Sequence, residues 1–98
     1  MRFNVASRFV RSAAAEAAPM QDETIIFHAE RNQFTVLNHT AAFVWERLHA
    51  PQSTEELAAA LVGEYLDVGI ELARGDVVRT LQELQSLALV EPAPESVP

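Results

Sequence analysis

The 98-residue sequence contains no cysteine, no lysine and only three glycines. Without cysteine the chain can form neither disulfides nor thiolate metal sites, which fits a cytoplasmic protein. The three glycines are scattered, so the sequence lacks a glycine-rich loop of the kind that cradles phosphates. No apolar run approaches the roughly 18 residues that a membrane-spanning helix needs. These absences argue against a disulfide scaffold, a nucleotide-binding loop and a membrane protein.

Positive charge is also scarce, and it is unevenly placed. Seven arginines stand against fourteen acidic residues, which gives a net charge of −7. Three arginines lie in residues 1–20, so the rest of the chain carries four arginines against thirteen acids. An acidic body repels phosphate backbones, and we therefore expect no nucleic-acid partner.

The composition is that of one small domain. Hydrophobic residues make up 49% of the chain, which is enough for a compact core. We expect a single domain over residues 1–90, in which residues 1–22 hold a first strand (3–10) and a loose connection. Arginines and a glutamate interrupt the apolar stretches of this segment, so it lacks the core of a signal peptide. Residues 91–98, with three prolines, are predicted to form a disordered tail.

A β-hairpin is predicted over residues 24–37. The run TIIFH at 24–28 is rich in β-branched and aromatic residues, which favour a pleated surface. The run QFTVL at 33–37 continues as the return strand, with alternate side chains pointing to opposite faces. Asn32, in the turn between them, can adopt a positive φ more easily than most residues.

Three short helices are predicted within residues 39–88. The first, at 39–49, follows Asn38, whose side-chain oxygen can accept the free amide hydrogens of an opening turn. The second opens with Ser53 and Glu56, which are spaced as a capping box. The third is predicted to begin at about residue 72 or 76 and to end at 88. Helices stacked on one face of a small antiparallel sheet of two to three strands indicate an α+β domain resembling a winged helix.

The sequence shows no catalytic constellation. Its three histidines stand at the predicted ends of strands or helices, and no two have the i, i+4 spacing of a metal-binding pair. The hydroxyl residues Ser53 and Thr40 have no base within their own element, so nucleophilic catalysis is not supported. We therefore predict a protein that is not an enzyme and that has no metal site and no cofactor.

The segment QFTVLNHTAAFVWERL indicates instead a binding function for a strand. It passes from the strand period to the helix period at Asn38, with no loop between the two. If residues 33–37 form an edge strand, their unpaired N–H and C=O groups can take up an extended peptide as a further strand. A helix with apolar side chains beside that edge would hold the anchors of the peptide.

Three segments, in this order, carry a resemblance to a known family. FHAERNQFTVLNHTAAFVWERL, STEELAAALVGEY and DVVRTLQELQSLALV fall within residues 24–90 and resemble the pyrroloquinoline-quinone biosynthesis protein D family. More broadly, the chain is similar to the recognition elements that bind precursors of ribosomally synthesised, post-translationally modified peptides (RiPPs), and most similar to their stand-alone members. One departure is Ala88, which stands where the pattern ends in Gly-Leu-aliphatic.

The resemblance implies a non-catalytic adaptor. Such domains bind the leader segment of a precursor peptide by strand addition and present the peptide to a modifying enzyme, such as a radical-SAM enzyme, a leader peptidase or a cyclase. The resemblance places an apolar wall on the third helix and lets Arg74 and Arg79 meet acidic leader residues. The peptide-binding residues that it implies are Gln33, Phe34, Thr35, Val36, Leu37, Arg74, Val77, Val78, Leu81, Gln82 and Gln85.

Two alternatives remain open at this point. A winged-helix DNA-binding regulator has a similar element order, but it needs outward cations on its recognition helix, and residues 76–88 offer only Arg79 against Asp76 and Glu83. A structural subunit could instead pair or swap its edge strand with a second copy. We accordingly expect a monomer or a weak or domain-swapped dimer.

Overall fold

The computed structural model describes residues 8–20, 23–65 and 67–93. Within these ranges the chain forms six strands and three helices, and no helix is long and apolar enough to cross a membrane. In chain order the elements are β1 (Arg8–Arg11), β2 (Ala15–Met20), β3 (Glu23–His28), β4 (Gln33–Leu37), α1 (His39–Arg47), β5 (Gln52–Ser53), α2 (Thr54–Glu64), α3 (Ile70–Ser86) and β6 (Val90–Pro92).

The predicted α+β class with a hairpin and three helices is confirmed, and the strands form two small antiparallel sheets. One sheet has the order β5-β1-β6, and the other has the order β2-β3-β4. The predicted hairpin is the β3–β4 pair, whose register runs from Thr24↔Leu37 to His28↔Gln33. Asn32 in its turn has φ 53°, as predicted for this position. Because the sheet order is β2-β3-β4, β4 lies at one edge of its sheet.

β2 lies where the sequence predicts a loose connection, and that prediction is corrected. Residues 15–20 pair with β3 along its whole length. Alanine has a low β propensity and Pro19 lacks a backbone donor, so the segment carries no local strand signal. The partner strand β3 supplies the pairing, and an edge position tolerates the proline. Of the first predicted strand, residues 8–10 fall in β1, and residues 3–7 lie outside the described residues.

The end of the chain also contains a strand. Glu91 and Pro92, which the composition assigns to a disordered tail, belong to β6 and pair with β1. The preceding Leu89 and Val90 are buried and anchor the strand. This pairing is tertiary, so a composition argument does not detect it. Residues 94–98 of the predicted tail lie outside the described residues.

The N-cap residues of α2 and α3 show why one helix start could be predicted from the sequence and the other could not. The predicted capping box is present: Ser53 Oγ accepts from the Glu56 amide at 3.1 Å, and Glu56 Oε1 accepts from the Ser53 amide at 2.8 Å. α3 begins at Ile70, before either predicted start. Its N-cap is Gly69, which has no side chain to bond to the first turn, so the sequence carries no capping signal for this start. α1 ends at Arg47, two residues earlier than predicted.

The core lies where the apolar faces of the helices meet both sheets. At its centre Trp45 is buried, with the Arg11 guanidinium 4.7 Å above its ring and Arg11 Nε donating to the Trp45 carbonyl at 2.9 Å. The indole Nε1 has no hydrogen-bond partner in the part of the chain that is described. The buried apolar residues are Phe9, Ile26, Leu37, Val44, Trp45, Leu48, Leu57, Ala58, Leu61, Ala73, Val77, Leu81, Leu84, Leu89 and Val90.

Candidate functional site

The backbone edge of β4 is the first component of the site. β4 pairs with β3 on one side only, and no described strand pairs with its other side. In an antiparallel strand, alternate residues direct their N–H and C=O groups away from the existing partner. Residues 33–37 therefore present backbone donors and acceptors for one more strand.

The junction at Asn38 holds β4 against the helical layer. Asn38 Oδ1 accepts from the Ala41 amide at 2.8 Å, and the Asn38 carbonyl accepts from the Ala42 amide at 2.8 Å. Its φ of −75° and ψ of 178° are extended, so this single residue ends the strand and caps α1. The predicted strand-to-helix passage without a loop is confirmed. Its consequence is a strand whose direction is fixed by the first turn of α1.

A groove between β4 and α3 is the second component. We call it the β4–α3 groove; its cavity volume is about 110 Å³. It runs beside the free edge of β4, and α3 forms its opposite wall. The lining residues are Thr35, Val36, Leu37, Asn38, Ala41, Thr80, Glu83, Leu84 and Leu87.

The five uncharged helical residues that the resemblance implies do not line this groove. Val77 and Leu81 have no exposed surface and belong to the core. At 3.6 residues per turn, the positions of Val78, Gln82 and Gln85 fall on one flank of the core stripe, whereas Thr80, Glu83 and Leu87 fall on the other. The sequence identifies the buried stripe of α3, but it contains no signal that tells which flank faces β4.

The two helical arginines are likewise not among the residues that line the groove. Arg74 Nε donates to Glu55 Oε1 at 2.6 Å, and this hydrogen bond is the main reason that the pKa of Arg74 is raised. Arg79 Nη2 donates to Asp76 Oδ1 at 2.7 Å. Both cations therefore have carboxylate partners within the chain. α3 thus presents no unpaired cation of the kind that a DNA-recognition helix would need.

The free faces of β3 and β4 form an exposed apolar surface. Phe34 is 69% exposed and Val36 is 57% exposed, whereas Leu37 points the other way into the core. Phe27 lies opposite Phe34 with ring centroids 4.7 Å apart, and Ile25 lies opposite Val36. Residues directly opposite in a sheet share a face. We call Ile25, Phe27, Phe34 and Val36 the outer face.

A wider and more open depression lies at the other side of α1. Its volume is about 520 Å³, and its wall holds Phe43, which contacts Tyr65 edge-on at 6.0 Å and lies 4.9 Å below the Arg47 guanidinium. His39 and His49 also line it. The described residues nevertheless contain no group of three or more His, Cys, Asp or Glu placed to hold a metal ion.

Two solved structures are similar to this fold. One is TbiB1 in complex with the TbiA(beta) leader peptide, with a TM-score of 0.77, 23% identity, and coverage of 88% of this chain and 99% of that chain. The other is lasso peptide synthetase B1 complexed with the leader peptide, with a TM-score of 0.75, 23% identity, and coverage of 86% and 98%. At this identity they establish the fold. No curated protein matches the chain.

The family comparison covers the part of the chain that forms the site. Residues 23–90 match the model of coenzyme PQQ synthesis protein D (PqqD). The match runs from β3 to the first residue of β6, and it therefore includes the free edge of β4, the Asn38 junction and all of α3. The resemblance identified in the sequence is confirmed: the chain belongs to the coenzyme PQQ synthesis protein D (PqqD) family.

Proposed function

We propose that this protein is a peptide-binding adaptor that captures the leader segment of a ribosomally made precursor peptide as an additional antiparallel strand on β4. The observation that carries the proposal is the free edge of β4 beside the β4–α3 groove. Two structures of this fold, at 23% identity, are complexes with leader peptides, and they support the proposal.

The geometry divides the work between backbone and side chains. The outward N–H and C=O groups of residues 33–37 bind the leader backbone, and this share of the affinity does not depend on leader sequence. Alternate leader side chains then point to opposite faces. One set enters the β4–α3 groove and packs on Leu84 and Leu87, and the other set extends the outer face beside Phe34 and Val36.

The adaptor role also needs a surface for a modifying enzyme, such as a radical-SAM enzyme, a leader peptidase or a cyclase. We place this contact on the outer face, because two large apolar side chains there are more than half exposed. The outer face is continuous with the leader-binding edge, since Phe34 and Val36 belong to β4 itself. An enzyme docked there therefore lies beside the captured leader. The protein contributes binding and positioning, and the enzyme contributes the chemistry.

Titration of the protein with the leader peptide of the precursor encoded nearest to its own gene tests the capture step. We expect saturable binding, amide shifts concentrated at residues 33–37 and 80–87, and slower hydrogen exchange at alternate amides of β4 because new strand bonds form there. Shifts that map to α2, or exchange rates in β4 that do not change, would contradict strand addition.

A pair of leucine variants then tests the groove. Leu87→Ala removes apolar contact from the wall, and we expect about a tenfold loss of affinity, since partial burial of one leucine contributes on the order of 1.5 kcal/mol. Leu72→Ala is the matched control, because Leu72 is 61% exposed at the other end of α3 and does not line the groove. Circular dichroism checks that both variants fold. Equal affinities of the two variants would argue against the groove.

A further inference from the structure

The electrostatic character of the β4–α3 groove points to a class of leader. Of its nine lining residues, five are apolar and three carry a hydroxyl or amide. The ninth, Glu83, is the one that carries a formal charge. The groove is therefore an apolar slot with a single carboxylate on its helical wall.

Among the described residues, the Glu83 carboxylate takes part in none of the ion pairs, which join Arg8 to Glu56, Arg74 to Glu55 and Arg79 to Asp76. The helical arginines are engaged elsewhere: Arg79, one turn before Glu83, donates to Asp76, and Arg74 donates to Glu55. The backbone carbonyl of Glu83, by contrast, accepts from Ser86 Oγ at 2.7 Å and from the Leu87 amide at 3.2 Å. A ligand cation at this point would meet a carboxylate that no described side chain already neutralises.

The spacing along α3 fixes where that cation would stand. Glu83 and Leu87 are one helical turn apart, so their side chains are neighbours along the same wall. A leader side chain packed on Leu87 thus has the carboxylate beside it. The net charge of −7 acts in the same direction, because it favours the approach of a basic segment and opposes an acidic one.

We infer that Glu83 is a specificity residue, and that the groove selects leader segments with an arginine or lysine adjacent to the apolar anchor. The inference rests on the proposed function and reverses the charge preference that the resemblance implies, in which Arg74 and Arg79 meet acidic leader residues. Glu83 is exposed, so its ion pair changes affinity only several-fold while setting the sign of the preferred charge.

A charge-swap selection tests this inference. A random dodecapeptide library displayed on phage is selected against the full chain, against Glu83→Lys, and against Glu71→Lys as the matched control on the same helix but outside the groove. We expect the wild type and Glu71→Lys to enrich peptides with Arg or Lys next to an apolar residue, and Glu83→Lys to enrich Asp or Glu at that position. The same charge preference in all three selections would overturn the inference.

Binding constants separate this result from the proposed function. In the peptide that binds the wild-type protein most tightly, changing the basic residue to glutamate should weaken binding to the wild-type protein about fivefold or more. The Glu83→Lys protein should bind the changed peptide with the lost affinity regained. The difference should shrink at 0.5 M salt, because exposed charges are screened. If binding depends on Leu87 but not on the swap, only the role of Glu83 fails. If no selected peptide depends on Leu87, the proposed leader site fails with it.

Discussion

At the scale of single residues, the turn that follows α3 carries backbone strain. Ala88 has φ 60°, a left-handed conformation that disfavours residues with a Cβ. The Leu89 amide donates to the Leu84 carbonyl at 2.9 Å, and the Ala88 amide donates to the Gln85 carbonyl at 3.0 Å. These two bonds form a Schellman motif, in which the residue at this position is usually glycine. The departure seen in the sequence is therefore a strained helix end.

Ala88→Gly should relieve this strain. We expect the free energy of unfolding to rise by about 0.5–1 kcal/mol, because the gain from removing the Cβ exceeds the extra backbone entropy of glycine. Urea denaturation measures the change. Ala59→Gly is the control: Ala59 is exposed within α2, where the same substitution should lower stability by about 1 kcal/mol. A loss of stability in both variants would contradict the account of Ala88.

Other single residues could be predicted because their signals are local. Asn32, Asn38 and the pair of Ser53 and Glu56 each occupy the turn or cap that their own chemistry favours. A side-chain oxygen that bonds to an amide three residues away needs no tertiary partner, so sequence spacing is enough to identify it. The indole N–H of Trp45, which has no partner among the described residues, depends on packing from several elements, and no spacing could indicate it.

At the scale of elements, Glu56 ties the start of α2 to β1. Its carboxylate accepts from Arg8 Nε at 3.1 Å as well as from the Ser53 amide. The hydrogen bond from Arg8 is the largest cause, and the Ser53 amide the next, of a pKa lowered from the usual value near 4.5 to about 2. A depressed carboxylate pKa means that the folded state favours the ionised form, so this contribution is present above pH 4.5 and is lost as the pH falls toward 2.

Glu56→Gln should therefore reduce the acid sensitivity of the fold. The free energy of unfolding of the wild type should fall between pH 4.5 and 2 with a slope that the variant partly lacks, although the variant is less stable at neutral pH. Urea denaturation at several pH values measures both slopes. Glu30→Gln, which removes a carboxylate from the exposed β3–β4 turn, should keep the wild-type slope. Equal slopes for wild type and Glu56→Gln would contradict the assigned ion pair.

Some elements can be predicted from the sequence, whereas others depend on tertiary pairing and packing. The hairpin, the three helices and the buried stripe of α3 follow from periodicity. β2 and β6 do not, because each forms only when a partner strand, β3 or β1, offers its edge. The orientation of α3 about its axis is likewise set by packing. Thr80, Glu83 and Leu87 could therefore not be identified as groove residues from spacing alone.

At the scale of the whole molecule, the free edge of β4 and the outer face are two surfaces of one sheet. Phe27→Thr tests the proposed enzyme contact, since Phe27 lies on β3 within the outer face and does not line the groove. We expect at least a tenfold weaker association with a modifying enzyme encoded nearby, and leader affinity within about threefold of wild type, because the proposal places the enzyme on this apolar area. Isothermal titration calorimetry with each partner measures both.

Leu72→Thr is the control for that experiment. It removes an apolar side chain that is more exposed than that of Phe27 from α3, away from the outer face, and should leave both affinities unchanged. Unchanged enzyme binding by Phe27→Thr would rule out the outer face as the docking surface. A parallel loss of leader affinity would show instead that the sheet itself had been disturbed.

The free edge of β4 has a consequence for the chain in the absence of any ligand. A strand edge flanked by exposed Phe34 and Val36 is also a template for the β4 of another copy, and such edges nucleate aggregation unless something blocks them. In this protein we expect charge repulsion to oppose that pairing, because copies that each carry a charge of −7 repel one another at neutral pH. The ligand-free chain should accordingly lose solubility in acid or at high salt. A bound leader would cover the edge and thereby keep the protein soluble under these conditions.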